Sequence, residues 1–147
     1  MELEQAIEGL PVVYSTPRIV FYWNGQKNLL ISVAKTYSDE QEYRANMQAC
    51  LDISSQKKIN YLIFESSNFK GTTPENQKWV SEYLAPNFNN IGIKAISLVM
   101  ANDMDGKVSL NSMVQKTPLF LNQIPLQFTD SFEDAYDWIM EQVLLFE

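Results

Sequence analysis

The sequence contains no histidine and only one cysteine, Cys50. The first absence removes the side chain that titrates near neutrality, the most frequent zinc ligand and every nucleophile relay built on imidazole. The second leaves no partner for an internal disulfide, so nothing argues for an oxidising compartment. Glycine is scarce, with five in 147 residues, and no glycine-rich loop is present to cradle phosphate. Eleven basic residues face eighteen acidic ones, and the formal charge of −7 opposes nucleic-acid phosphates and anionic lipid surfaces. No apolar run approaches the roughly 20 residues that span a bilayer. Met1 to Leu10 carries Glu2, Glu4 and Glu8 without a basic run. Neither a targeting segment nor membrane insertion is expected, and the expected location is the cytoplasm.

What is present suffices for a core. Hydrophobic residues make up 46% of the chain, and neither a linker, a repeat nor a low-complexity tract divides it. Residues 1–147 are therefore read as one domain.

Residues Val12 to Tyr14 and Arg18 to Trp23 are rich in β-branched and aromatic side chains on either side of Pro17, which predicts extended chain with a bend or an edge. Asn24-Gly25 predicts a tight hairpin turn, with Leu29, Leu30, Ile31 and Val33 on the return strand. Ser38, with Gln41 three places on, predicts the cap of a helix from about Asp39 to Ser55 that buries Tyr43, Met47, Cys50, Leu51 and Ser54. Ile59 to Phe64 reads as a strand covered on both faces, ending at Glu65. Thr73-Pro74 supplies an N-cap and a first-turn proline for a helix with an apolar face of Trp79, Val80, Tyr83 and Leu84, which Pro86 and Asn87 to Asn90 are expected to end. Ile93 to Met100 is a further buried strand, Asn102 to Gly106 a turn, Val108 to Thr117 a short helix and Pro125 to Phe128 a last strand. Asp130 with Glu133 at capping-box distance opens a final helix that carries Phe132, Ala135, Tyr136, Ile139, Met140 and Val143 on one side. This order predicts an α/β fold: a single mixed β-sheet with a parallel core and an antiparallel N-terminal hairpin, flanked by about four helices.

The candidate site is the stretch after the buried strand. Glu65 stands at a carboxyl strand end, where open α/β sheets collect ligands, with Ser66 and Ser67 beside it. A solvated strand-end acid is the simpler account of Glu65 and the favoured one. Acid–base work would need a partner such as Asp103 or Asp105, and those three could form a hard-oxygen cation site, although their spacing matches no recognised loop. Thr72 and Thr73 lie where a phosphate would meet free helix amides, but capping alone accounts for Thr73. Cys50 reads as packing, being on an apolar stripe without a base nearby. Trp23, Tyr22, Trp79 and Trp138 read as core or half-buried packing, or as a binding patch where exposed together.

The run Thr73-Pro74-Glu75-Asn76-Gln77-Lys78-Trp79-Val80 resembles the P-E-x-Q-x-W segment of bacterial SpoIIAA-like, or STAS-like (sulfate transporter and anti-sigma-factor antagonist), domains. More loosely, the strand ending in an acid and the acidic-aromatic run from Phe128 to Ile139 are similar to the same family. The resemblance implies a small mixed sheet flanked by helices, distantly similar to CRAL-TRIO lipid-carrying domains, and a protein-binding regulator rather than an enzyme. It also implies that a Ser or Thr at the helix start following a central strand is phosphorylated by a partner kinase. Thr72 and Thr73 are nearest in position, with Ser66-Ser67 after the strand, and the family's Asp-Ser pair is missing here.

The combined expectation is a non-enzymatic regulatory or scaffold domain without metal or cofactor. It would bind another protein through Glu65, Ser66, Ser67, Thr72, Thr73 and Trp79, with phosphorylation of Thr72 or Thr73 as the switch. The alternative is a small-molecule or lipid-binding module with an apolar pocket between the sheet and the helix Val108 to Thr117. The partner's identity and the oligomeric state, a homodimer included, are not legible in the sequence.

Overall fold

The computed structural model describes residues 1–118 and 123–146. Six strands form one sheet in sequence order: β1 (Val12–Ser15), β2 (Ile19–Asn24), β3 (Leu29–Ala34), β4 (Tyr61–Glu65), β5 (Ala95–Val99) and β6 (Leu126–Thr129). The first three pair antiparallel, and β3 to β6 pair parallel. The mixed sheet with a parallel core and an antiparallel N-terminal hairpin is thus the observed one.

Parallel neighbours need crossovers, and helices supply them. They are α2 (Glu40–Lys57) between β3 and β4; α3 (Pro74–Trp79), a π-helical turn (Val80–Leu84) and α4 (Ala85–Asn90) between β4 and β5; and α5 (Met104–Gln115) between β5 and β6. All three crossovers pack on one face, where Phe21, Leu30, Leu62, Ile96 and Leu98 meet Met47, Cys50, Leu84, Phe88, Leu110 and Met113. The opposite face, with Leu29, Ile31, Tyr61, Ile63 and Val99, is covered by α6 (Phe132–Phe146) through Phe132, Ala135, Ile139 and Val143, and by α1 (Leu3–Ile7) through Ala6. Alternation along each strand divides the two cores: Leu29 and Ile31 point one way, Leu30 and Ser32 the other.

Several boundaries depart from the sequence reading for local reasons. The Asn24-Gly25 turn is four residues wide, from Gly25 to Asn28, because Asn24 pairs with Leu29. The left-handed residue is Asn28, at φ 55°, and its side-chain amide bonds to Lys58 and Asn60. Helix α2 is capped by Asp39, which accepts from the amide of Glu42, and not by Ser38. Pro86 does not end its helix: the amide of Ala85 reaches the Val80 carbonyl five residues back, and this wider register accommodates a proline that would clash in regular α geometry. The acidic turn at Asn102 to Gly106 is instead the start of α5, because Asp103 accepts from the amides of Asp105 and Gly106. A Cβ on Gly106 would run into the Phe69 carbonyl, so glycine lets the loop after β4 lie directly on this helix. The last helix is capped by the Ser131 hydroxyl, which accepts from Asp134, one position after the expected Asp130. Helix α1 was not anticipated, since five residues are too few to display a period.

Candidate functional site

Residues Glu65 to Trp79 do not form one surface. They divide into a cavity border, a structural knot and an outer aromatic patch.

The knot surrounds Asn76, which is fully buried. Its carboxamide oxygen accepts from Arg44 Nε at 2.6 Å, and its nitrogen donates to the Glu40 carbonyl at 3.1 Å and to Thr72 Oγ1 at 2.8 Å. Its backbone amide donates to Thr73 Oγ1 at 3.2 Å, which makes Thr73 the N-cap of α3 as expected. Gln77, also buried, donates to the Thr72 carbonyl, and the Thr72 amide donates to Ser109 on α5. The Thr72 and Thr73 hydroxyls are therefore both engaged with Asn76, which reaches α2, while the Thr72 backbone makes the link to α5. The Asn-Gln pair within the family-like segment performs the same structural task.

Trp79 faces outward. It stacks on Tyr83 with ring centroids 5.4 Å apart, under the Arg44 guanidinium at 5.6 Å. Trp79 is half-buried and Tyr83 and Arg44 are exposed. Trp23 is likewise half-buried, beneath Lys57.

The cavity, of about 100 Å³, lies between the parallel strands and the helices of the crossover face. Its floor is a row of side chains across the sheet, Phe64 and Leu98 with Ile19 and Ile96 beside them, and its roof comprises Met47, Val80, Leu84, Leu110, Met113 and Val114. The hollow lies between the sheet and α5 and is roofed also by α2 and the π-helical turn. Arg18, Thr36, Ser38 and Ser66 border it.

Glu65 borders the cavity too, yet alternation along β4 sends its side chain to the side of Tyr61 and Ile63. Its carboxylate accepts from the Ser67 amide at 3.1 Å and the Ser67 hydroxyl at 2.8 Å. Asp103 is occupied as a helix cap, and among the described residues there is no group of three His, Cys, Asp or Glu side chains suited to a metal ion. The arrangement of Glu65, Asp103 and Asp105 considered from sequence does not assemble.

Two titratable groups lie near the roof. Burial pushes the Cys50 thiol up to about 12 and pushes the Tyr43 phenol upward as well, with Cys50 adding to the latter. Both are thus neutral at ordinary pH, and Tyr43 donates weakly to Met113 Sδ at 3.5 Å.

Sequence reasoning missed Ser32 and Asn46, which are 3% and 4% exposed and line the cavity. The available signal was a serine inside the apolar run Leu29-Leu30-Ile31-Ser32-Val33 and an asparagine on the buried stripe of α2.

No protein-family model matches the chain, and no curated protein matches it by sequence. Among solved structures it is similar to an uncharacterized protein of the DUF3478 family with a SpoIIAA-like fold from Shewanella loihica PV-4. The two are 12% identical with a TM-score of 0.51, over 89% of this chain and 92% of that one. At this identity the likeness concerns the fold, which is SpoIIAA-like. Among the described residues no helix is long and apolar enough to cross a membrane.

If the Asn76 knot is structural, Asn76→Ala should lose about 2–4 kcal/mol in urea denaturation, because it strands buried partners, whereas Thr73→Ala should lose about 1 kcal/mol as a missing cap. A loss below about 0.5 kcal/mol for Asn76→Ala would contradict this assignment.

Proposed function

We propose, from the premise of a SpoIIAA-like fold, that this chain is a non-enzymatic binding domain whose main site is the cavity on the crossover face. Its ligand is a small, mainly apolar molecule. The supporting observation is the cavity itself: an apolar hollow between the sheet and the crossover helices, bordered by a few polar groups, as ligand sites are. An apolar hollow of roughly 150 Å³ holds benzene; at about 100 Å³ this one is smaller, and suits the end of a longer chain or a ring that projects in part from the mouth. The absence of histidine and the sealed state of Cys50 support binding over turnover. The lack of a second thiol fits work in the cytoplasm.

The direct test is benzene titration followed by methyl NMR. Shifts confined to Leu98, Leu110, Met113 and Val114 are expected, and a spectrum unmoved at benzene saturation would rule the cavity out as a binding site.

A second reading, protein recognition, draws on the outer face of the π-helical segment, where Arg44, Trp79 and Tyr83 present a stacked patch. Such residues dominate interface energetics. It predicts that Trp79→Ala lowers recovery of a bound protein in pull-downs without altering the circular dichroism; equal recovery by both proteins would remove this patch from consideration. Phosphorylation of Thr72 or Thr73 would act directly on the Asn76 knot, since both hydroxyl oxygens accept from Asn76.

A further inference from the structure

The polar groups around the cavity are unusual in what they leave unbonded. Ser32 lies in the middle of β3, between Phe21 and Phe64, and its side chain shares the cavity face with Leu30. It is 3% exposed, and its hydroxyl has no hydrogen-bond partner among the described residues. Asn46, 4% exposed on α2, accepts from the Tyr14 hydroxyl at 2.9 Å through its oxygen, while its nitrogen has no acceptor among the described residues. These differ from Ser54 and Ser97, whose unpaired hydroxyls are sealed inside the protein. Ser32 and Asn46 both line the hollow, so a guest there could reach their free groups.

At the mouth, Arg18 is the one cation among the lining residues. It uses only Nε, in a long 3.4 Å contact to the Glu42 carboxylate, which leaves the rest of its donor fork open. The Glu65 carboxylate is already bonded to Ser67 and directed to the other face. An amide nitrogen, a hydroxyl and a guanidinium all offer protons. What satisfies them is an acceptor, and the cation favours one carrying negative charge.

We infer that the cavity's ligand is a carboxylate with a ring-sized apolar body, its head held by Arg18, Asn46 and Ser32 and its body by Leu98, Leu110 and Val114. This inference rests on the cavity reading above. Ligand binding then gives these donors a charged acceptor, and Glu42 shares or yields Arg18. An amine of the same shape meets the Arg18 charge and the Asn46 amide protons, both unfavourable to it, with the Ser32 hydroxyl able to accept from it.

The experiment compares benzoate, benzyl alcohol and benzylamine by NMR titration of the intact chain. Benzoate is expected to bind about tenfold or more tighter than the alcohol, as for one charge-assisted hydrogen bond gained, with benzylamine weakest. Asn46→Asp keeps the acceptor for Tyr14 but replaces the free donor by a carboxylate, and should abolish the preference for benzoate. Arg18→Gln, at the half-exposed mouth, should reduce the preference without unfolding the chain. Equal affinity for all three heads, or preference for benzylamine, would overturn the carboxylate inference while the cavity reading stood. Failure of benzene and of every head to bind would overturn both.

Discussion

Parallel pairing from β3 to β6 is the constraint from which the other features follow. Four parallel strands in sequence order require three crossovers, and here all three run over the same face. That face therefore carries three separate helical connections, each set by its own loops, while the opposite face is closed mainly by α6, whose Phe132, Ala135, Ile139 and Val143 lie on one stripe. A single helix can settle onto a sheet as a unit. Three helices meeting over one floor must also fit one another, and the hollow lies where α2, the π-helical turn and α5 converge.

The π-helical turn belongs to that fit. A proline four residues into a regular α turn would collide with the preceding carbonyl. The longer register at Val80–Leu84 passes Pro86 and puts Val80 and Leu84 in the cavity roof, with Trp79 and Tyr83 outside. The same turn thus shapes an inner apolar wall and an outer aromatic patch. The loop after β4 is held just as firmly, by Gly106 against Phe69 and by the Asn76 knot.

Most of this architecture was legible in the sequence, because the strongest signals arose from burial. The apolar runs at Leu29 to Val33 and Ile59 to Phe64 and the stripe on α6 fall where the sheet and its cover require them. Errors came from residues with two uses. Asparagine and aspartate serve turns and helix caps alike, so Asp103 read as a turn, and Asn24-Gly25 read as a tight hairpin although Asn28 adopts the left-handed conformation. The candidate site was less legible. Thr72 to Trp79 stood out as a motif, yet its buried part is a structural tie. Ser32 and Asn46 belong to different elements, and only tertiary packing brings them to one cavity, so no spacing along the chain could pair them.

The claim at the centre of this account is that the crossover face encloses a reachable apolar hollow with unspent donors at its border. Xenon-pressurised crystals test it most directly. Density for xenon between Leu98, Leu110 and Val114 is the expected result, and a core at that place filled by the side chains of Met47 and Met113, with no xenon bound, would contradict it.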